Sequence, residues 1–217
     1  MFQRILVPLD GSEGAERAIP VAARIARASG GSIVFMRVIL PPAELGAYRA
    51  EPIIATQSKA LERRVAAAAN YFAETRSAHA DELAGIETEA DVAVAAAAEA
   101  PIIFSTARYE DVDLIVMCSH GETGLKRWVF GSVAQEAVRH SPVPVLVLNE
   151  HGMVPSAPDA THPLRVLVTL DGSALAERAL EPAAQLIAAL APSAQSEVHL
   201  LRVVDLPSAY GKMKSQA

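Results

Sequence analysis

The chain of 217 residues lacks the features that mark several common chemistries. It has one cysteine, Cys118. That residue cannot form an internal disulfide and cannot by itself supply a thiolate zinc site, so the sequence fits a reducing compartment. The six histidines show no H-E-x-x-H or related metal spacing. No apolar run approaches the roughly 18 residues needed to span a bilayer; residues 92–98 form one of the longest. The opening M-F-Q-R-I-L-V-P-L-D is broken by Pro8 and Asp10 and carries no long hydrophobic region with a small-residue cleavage site. No secretory leader is read there, and a cytoplasmic location is expected. Basic residues are outnumbered, 19 Lys and Arg against 25 Asp and Glu, for a net charge of −6. There is therefore no overall field of the kind that draws a protein to nucleic acid or anionic lipid, and neither is expected as a partner.

What is present is apolar: 51% of residues are hydrophobic and 20% charged, which excludes a disordered chain. Against a typical domain of roughly 150 residues the length corresponds to about 1.4 domains. An internal repeat accounts for the fraction. Residues 4–19, R-I-L-V-P-L-D-G-S-E-G-A-E-R-A-I, and residues 165–180, R-V-L-V-T-L-D-G-S-A-L-A-E-R-A-L, are identical at 11 of 16 positions. The similarity resumes where Phe35-Met36-Arg37-Val38-Ile39 answers Leu200-Leu201-Arg202-Val203-Val204. The sequence organisation is therefore a complete unit over 1–149, a proline-containing linker over 150–163, and a partial β-α-β repeat over 164–217.

Each copy opens with a continuous apolar run, as expected of a strand buried on both faces of a parallel sheet. In the first copy the strand covers residues 4–9, Ser12 is placed to cap a helix carrying Ala15, Ile19, Ala22, Ala23 and Ala26, and Gly30-Gly31 ends that helix. A second strand is read over 33–39. Pro41, Pro42 and Pro52 bracket a loop, and residues 58–79 form a long helix. A short strand is read over 86–90. Pro101 suits the first turn of a helix over 101–109, although the alanine-rich residues 92–100 could equally begin it. A strand over 113–118, a helix over 132–140 and a strand from Pro144 to Leu148 complete the unit. The alternation implies a doubly wound α/β layer with a mostly parallel sheet.

In such a sheet ligands lie outside the carboxyl ends of the strands. Pro8 to Ser12, Val38-Ile39, Cys118 to Gly124 and Gly131-Ser132 should converge there. Gly131-Ser132 opens a helix, where unpaired N–H groups and the dipole favour an anion and glycine admits an oxygen close to the backbone. The same dipeptide could simply cap its helix, with Gln135 three residues on as in a capping box, and by itself it favours that reading. Asp10 is readable as a turn residue before glycine or as an acceptor for ribose or base; its recurrence at Asp171 does not separate the two.

Together these segments resemble the universal stress protein family: R-I-L-V-P-L-D-G-S at the start, D-L-I-V-M-C-S-H-G-E-T-G-L-K-R-W-V-F-G-S-V-A in the middle, and S-P-V-P-V-L-V-L at the end. Family members that bind ATP carry a glycine, two residues, a second glycine, nine residues, then Gly-Ser or Gly-Thr. Here Gly121 is the second glycine and Gly131-Ser132 closes the motif. Cys118 stands where the first glycine is usual, and Glu122 where Arg or Lys is common, with Lys126 and Arg127 nearby to offset its charge. The resemblance implies a doubly wound, five-stranded parallel sheet in 3-2-1-4-5 order with helices on both faces. It also implies an adenine nucleotide pocket for ATP or AMP, with or without Mg2+, lined by Pro8, Asp10, Val38, Met117, Cys118, Gly121, Gly131, Ser132 and Val133. Val38 would present its backbone to the adenine edge, Asp10 would hold ribose or base, and Gly121, Gly131 and Ser132 would cradle phosphates. The function implied is that of a stress-response sensor or regulator. Trp128, inside the motif loop, should change fluorescence on binding.

The alternative is a member of the same fold that binds no nucleotide and acts through protein contacts and dimerisation, which Cys118 and Glu122 favour. An enzyme is not expected beyond slow ATP hydrolysis. Cys118, Ser119 and His120 are adjacent, but there is no G-x-S-x-G elbow and no G-x-x-x-x-G-K-[ST] loop. The strand from Pro144 to Leu148 would form a sheet edge, and family members commonly dimerise there, so a homodimer is expected. The second repeat carries Asp171 and Ser173 without a Gly-Ser loop of its own, which leaves one nucleotide site per chain.

Overall fold

A computed structural model of the chain describes residues 2–40, 51–95, 98–119, 131–149, 163–191 and 196–204, and for residues 51–58 the backbone only. The chain divides into two compact units, Met1–Ser156 and Ala157–Ala217.

The first unit runs β1 (Arg4–Pro8), α1 (Glu13–Glu16), α2 (Ala18–Ser29), β2 (Ser32–Ile39), α3 (Glu51–Ala78), α4 (Ala80–Leu83), β3 (Thr88–Val94), α5 (Glu99–Tyr109), β4 (Leu114–Cys118), α6 (Ser132–His140) and β5 (Val145–Leu148). Its five strands are parallel and ordered β3-β2-β1-β4-β5. The continuous apolar runs behave as expected of doubly covered strands. Ile5, Leu6 and Val7 of β1 and Leu114, Ile115 and Val116 of β4 are fully buried. Leu6, Val34, Met36, Ile115 and Met117 pack with Ile103 and Ala107 of α5 and Ala134 and Ala137 of α6. On the opposite face Phe35 stacks on Phe72 of α3 at 6.4 Å between centroids. Truncating a fully buried ring such as Phe35 to alanine costs about 3–5 kcal/mol in comparable cores.

Three local boundaries differ from the sequence reading. The first helix is broken at Arg17 because Pro20, the third residue of α2, has no N–H to offer the Glu16 carbonyl and its ring would press on it. In the second copy the proline is shifted by one, to Pro182, again the third residue of its helix, and the break widens to Arg178 and Ala179. The long helix begins at Glu51 rather than residue 58, since Pro52 fits a first turn, where no N–H is required. Residues 92–94 extend β3, because their partners Arg37, Val38 and Ile39 are still in β2; α5 starts only at Glu99.

The second unit contains β6 (Leu164–Thr169), α7 (Ala174–Glu177), α8 (Leu180–Leu190) and β7 (Ser196–Leu201), with β6 and β7 paired in parallel as a two-stranded sheet. The apolar run that is buried in β1 recurs in β6 yet leaves Leu167 at 59% exposure, and Leu200 of β7 is 62% exposed. A two-stranded sheet cannot cover both of its faces. The linker read over 150–163 lies, apart from Pro163, outside the described residues.

Candidate functional site

β1 is flanked by β2 on one side and β4 on the other, and the crossovers from it run in opposite directions. The crevice beyond its carboxyl end is therefore the switch point of the sheet. A cavity of about 560 Å³ opens there, within the size range of ligand pockets. It is lined by Pro8 and Asp10 from the end of β1, Val38 from β2, Met117 and Cys118 from β4, and Gly131, Ser132 and Val133 at the start of α6. Gly121 lies outside the described residues, as do His120, Glu122, Lys126, Arg127 and Trp128.

The turn after β1 is set by its own side chains. Asp10 Oδ1 accepts from the Ser12 amide at 2.9 Å and from the Ser12 hydroxyl at 2.6 Å. Ser12 Oγ accepts in turn from the Ala15 amide at 3.1 Å, the expected N-cap. Gly11 between them has φ +95°, a region that disfavours any residue with a Cβ. Asp171 and Ser173 repeat the arrangement, with the Ser173 amide 2.8 Å from Asp171 Oδ1 and Gly172 at φ +89°. Hydrogen bonds from the Ser173 hydroxyl and then the Ser173 amide hold the Asp171 carboxyl below its ordinary range. The turn reading of Asp10 thus has its bonds, and it leaves the residue on the cavity wall.

β2 outlasts β1. The Leu9 amide donates to the Met36 carbonyl at 2.8 Å, the last rung before the chain turns away at Asp10. Residues two apart in a strand present their N–H and C=O to the same neighbour. The Val38 amide and carbonyl therefore face the side that β1 has vacated, while the Ile39 carbonyl is taken by the Ala95 amide on the other side at 3.0 Å. A donor and an acceptor side by side at a cavity wall can read the edge of a planar heterocycle.

Across the cavity, the Gly131 amide donates to the Ser119 carbonyl at 2.8 Å and ties α6 to the end of β4. Gly131, not Ser132, is the N-cap, and no side chain caps the helix. The capping box expected from Ser132 and Gln135 is not formed: Ser132 is already the first helical residue and its side chain is exposed, while the Gln135 amide donates to the Gly131 carbonyl at 2.9 Å. The amides of Ser132, Val133 and Ala134 thus precede the helical ladder, at the positive end of the helix dipole. Cys118, in the position of the missing glycine, is an ordinary strand residue paired with Leu148. Its thiol donates to the Ala15 carbonyl at 3.8 Å, and a left-handed conformation is not required there.

Residue reading from sequence missed four charged or polar participants. Arg37, Arg64 and Glu99 also line the cavity. Arg64 donates to the Leu40 carbonyl at 2.7 Å. Arg37 donates to the Asp10 carbonyl at 2.9 Å and lies 5.0 Å from the centroid of Tyr71. Burial, then the hydrogen bond to Glu16, raise the Tyr71 hydroxyl well above the usual phenol range, so it stays a donor to Glu16, at 2.7 Å. The signal for Arg37 was its repetition as Arg202; nothing in the local pattern marked Arg64, Glu99 or Tyr71. Among the described residues no group of three or more His, Cys, Asp or Glu could hold a metal, and no helix is long and apolar enough to cross a membrane.

Comparison with known proteins agrees with this architecture. Residues 1–149 match the universal stress protein family. A universal stress protein of Thermus aquaticus, from the 3' region of a QAH/OAS sulfhydrylase, is 32% identical over 68% of this chain and 99% of its own. The solved structure of protein MJ0577, a universal stress protein of Methanocaldococcus jannaschii, is similar over 70% of this chain and 99% of its own, with 25% identity and a TM-score of 0.59. A universal stress protein structure from Archaeoglobus fulgidus DSM 4304 shares the fold over 97% of this chain and 71% of its own, with 22% identity and a TM-score of 0.60. The chain belongs to the universal stress protein family.

Proposed function

We propose that the first unit binds an adenine nucleotide, ATP or AMP, in the cavity beyond β1, and that the protein acts as a cytoplasmic stress-response sensor or regulator that reports nucleotide occupancy. The observation that carries this reading is the placing of two complementary backbone features on one cavity. The Val38 amide and carbonyl face the space left by β1 on one wall, and the uncapped start of α6 stands on another. The first suits the hydrogen-bonding edge of adenine and the second suits phosphate. Pro8 and Met117 supply apolar surface for the base, and Asp10 supplies an acceptor for ribose or base. Gly121 would join Gly131 and Ser132 at the phosphates. Mg2+ would enter on the triphosphate rather than as a resident ion.

The reading is of a binding module with no chemistry beyond slow ATP hydrolysis. Dimerisation is assigned to the outer edge of β5, the last strand of the sheet among the described residues, because an exposed strand edge calls for cover. Calorimetric titration with ATP and with AMP tests the site: heat with saturation below millimolar ligand is expected, accompanied by a change in Trp128 fluorescence, and no heat with either ligand overturns it. Light scattering at micromolar protein should give twice the chain mass, and a monomer counts against the edge contact.

A further inference from the structure

The Arg37 side chain does more than line the cavity. A Cβ placed on Gly11 would lie 2.8 Å from one of its terminal nitrogens and 3.1 Å from Cζ, so the guanidinium occupies the space that a side chain on the turn would take. The same nitrogen donates to the Asp10 carbonyl. Cζ lies over Tyr71 of α3, whose hydroxyl is bonded to Glu16 of α1, and Glu16 is 3.6 Å from His79 Nε2. One cation from β2 therefore joins the turn after β1 to α3, and through Tyr71 to α1. Asp10 is held twice, at its carboxylate by Ser12 and at its carbonyl by Arg37.

We propose that Arg37 is a positioning residue of the nucleotide site, clamping the Asp10-Gly11-Ser12 turn so that Asp10 meets the nucleoside half of the ligand, and that it is not a phosphate ligand. This rests on the nucleotide reading above. The second unit supplies an independent comparison. There a Cβ on Gly172 would meet Arg202 at 3.1 Å, so an arginine at the corresponding place again covers the glycine of an Asp-Gly-Ser turn. No counterpart of α6, with its Gly131-Ser132 start facing the turn from another strand, accompanies it among the described residues of that unit. An arginine kept against the turn where no phosphate cradle is described belongs to the turn. Lysine is a poor substitute, because a single ammonium can reach the carbonyl but cannot at the same time cover Gly11 and face the aromatic ring.

Two measurements decide the matter. Calorimetric titration of wild type, Arg37→Ala, Arg37→Lys and Tyr71→Phe with adenosine, AMP and ATP should show Arg37→Ala weakening all three ligands by a similar factor, about tenfold for a lost charge-assisted hydrogen bond. Arg37→Lys should recover only part of the loss, and Tyr71→Phe, which keeps the ring, should lose less. Loss confined to ATP would make Arg37 a phosphate ligand, and no loss for any of the three would remove it from the site; either result overturns the proposal. Amide hydrogen exchange of the ligand-free protein reads the clamp directly. Faster exchange at the Ser12 amide in Arg37→Ala, with the core amides of β1 and β4 unchanged, supports it, and unchanged exchange at Ser12 overturns it. A wild type that binds none of the three ligands sinks the nucleotide reading alone, and the exchange result then decides whether Arg37 holds the turn.

Discussion

The Gly131 amide donates to the Ser119 carbonyl at 2.8 Å, and a Cβ on Gly131 would lie 3.1 Å from that same oxygen. The glycine is thus required by proximity and not by conformation, since its φ of −57° suits any residue. Gly131→Ala should push the Ser119 carbonyl by a few tenths of an ångström, with a cost to folding of about 1 kcal/mol, at the low end for overpacking. Because the Gly131 amide is bonded to that carbonyl, a shift there reaches the start of α6, so ATP affinity should fall by more than the folding cost suggests, about tenfold if one charge-assisted hydrogen bond is lost. Ser132→Ala should cost less, because the exposed hydroxyl does not cap the helix. Thermal melts paired with calorimetric titration of both variants check this; wild-type affinity in Gly131→Ala would remove α6 from the phosphate site.

Cys118 stands where family members that bind ATP have glycine, and its strand conformation implies that the thiol is accommodated. Cys118→Gly should lower stability by about 0.5–1 kcal/mol, the backbone cost of glycine in a strand, and leave nucleotide affinity within about threefold, below one hydrogen bond's worth. Titration of the variant provides the check. A gain of tenfold or more would mean that the cysteine blocks the pocket and would favour the reading in which the protein acts through contacts instead of nucleotide.

The parts of the fold that were legible in the sequence are those governed by local rules. The apolar runs of β1 and β4, the Ser12 cap and the paired positions of the Asp-Gly-Ser turns follow from burial and capping alone. The duplicated segment made the β-α-β grammar visible twice. The helix break at Arg17 is equally local, through Pro20, but the surrounding apolar spacing runs on unbroken and masks it. Arg37, Arg64 and Glu99 were not legible, because the three come from β2, α3 and α5 and converge only after strand order is fixed. The exposure of β6 and β7 was hidden for the opposite reason. β6 repeats the apolar run of the doubly covered β1, but burial depends on neighbours that the pattern does not encode.

The two Asp-Gly-Ser turns offer a control within one chain. Ser12 and Ser173 each cap a short helix by accepting from the amide three residues on, at 3.1 Å in both cases. Ser12→Ala should cost about 1 kcal/mol through the lost cap and, because Ser12 also fixes Asp10, should weaken nucleotide binding. Ser173→Ala should remove the second cap without any effect on binding. Equal affinities in the two variants would mean that Asp10 does not need its Ser12 bonds, and a loss in Ser173→Ala would mean that the second turn takes part in the site.

At the opposite end of the sheet Arg4 is bonded to Glu89 at 2.8 Å and also to Glu110, and this arrangement makes stability depend on pH in two opposing ways. The hydrogen bond and then the charge of Arg4 hold the Glu89 carboxyl below its ordinary value of 4.5. A carboxylate whose pKa is depressed by folding stabilises the protein above 4.5, and that contribution is lost as pH falls through its folded value. Asp91 behaves oppositely. Burial, then the nearby Glu110, raise its carboxyl above the ordinary 3.8, so the ionised form costs stability at neutral pH and the cost is relieved as pH falls through the raised value. Asp91→Asn keeps an acceptor for the backbone while removing the charge, and should therefore melt at a higher temperature than wild type at pH 7, with the difference shrinking as both approach pH 4. Glu89→Gln should melt lower at pH 7 and converge with wild type in acid. Melting curves of the three proteins across that range test both signs, and an Asp91→Asn protein less stable than wild type at pH 7 would show that the carboxylate is held by a favourable contact outweighing its burial.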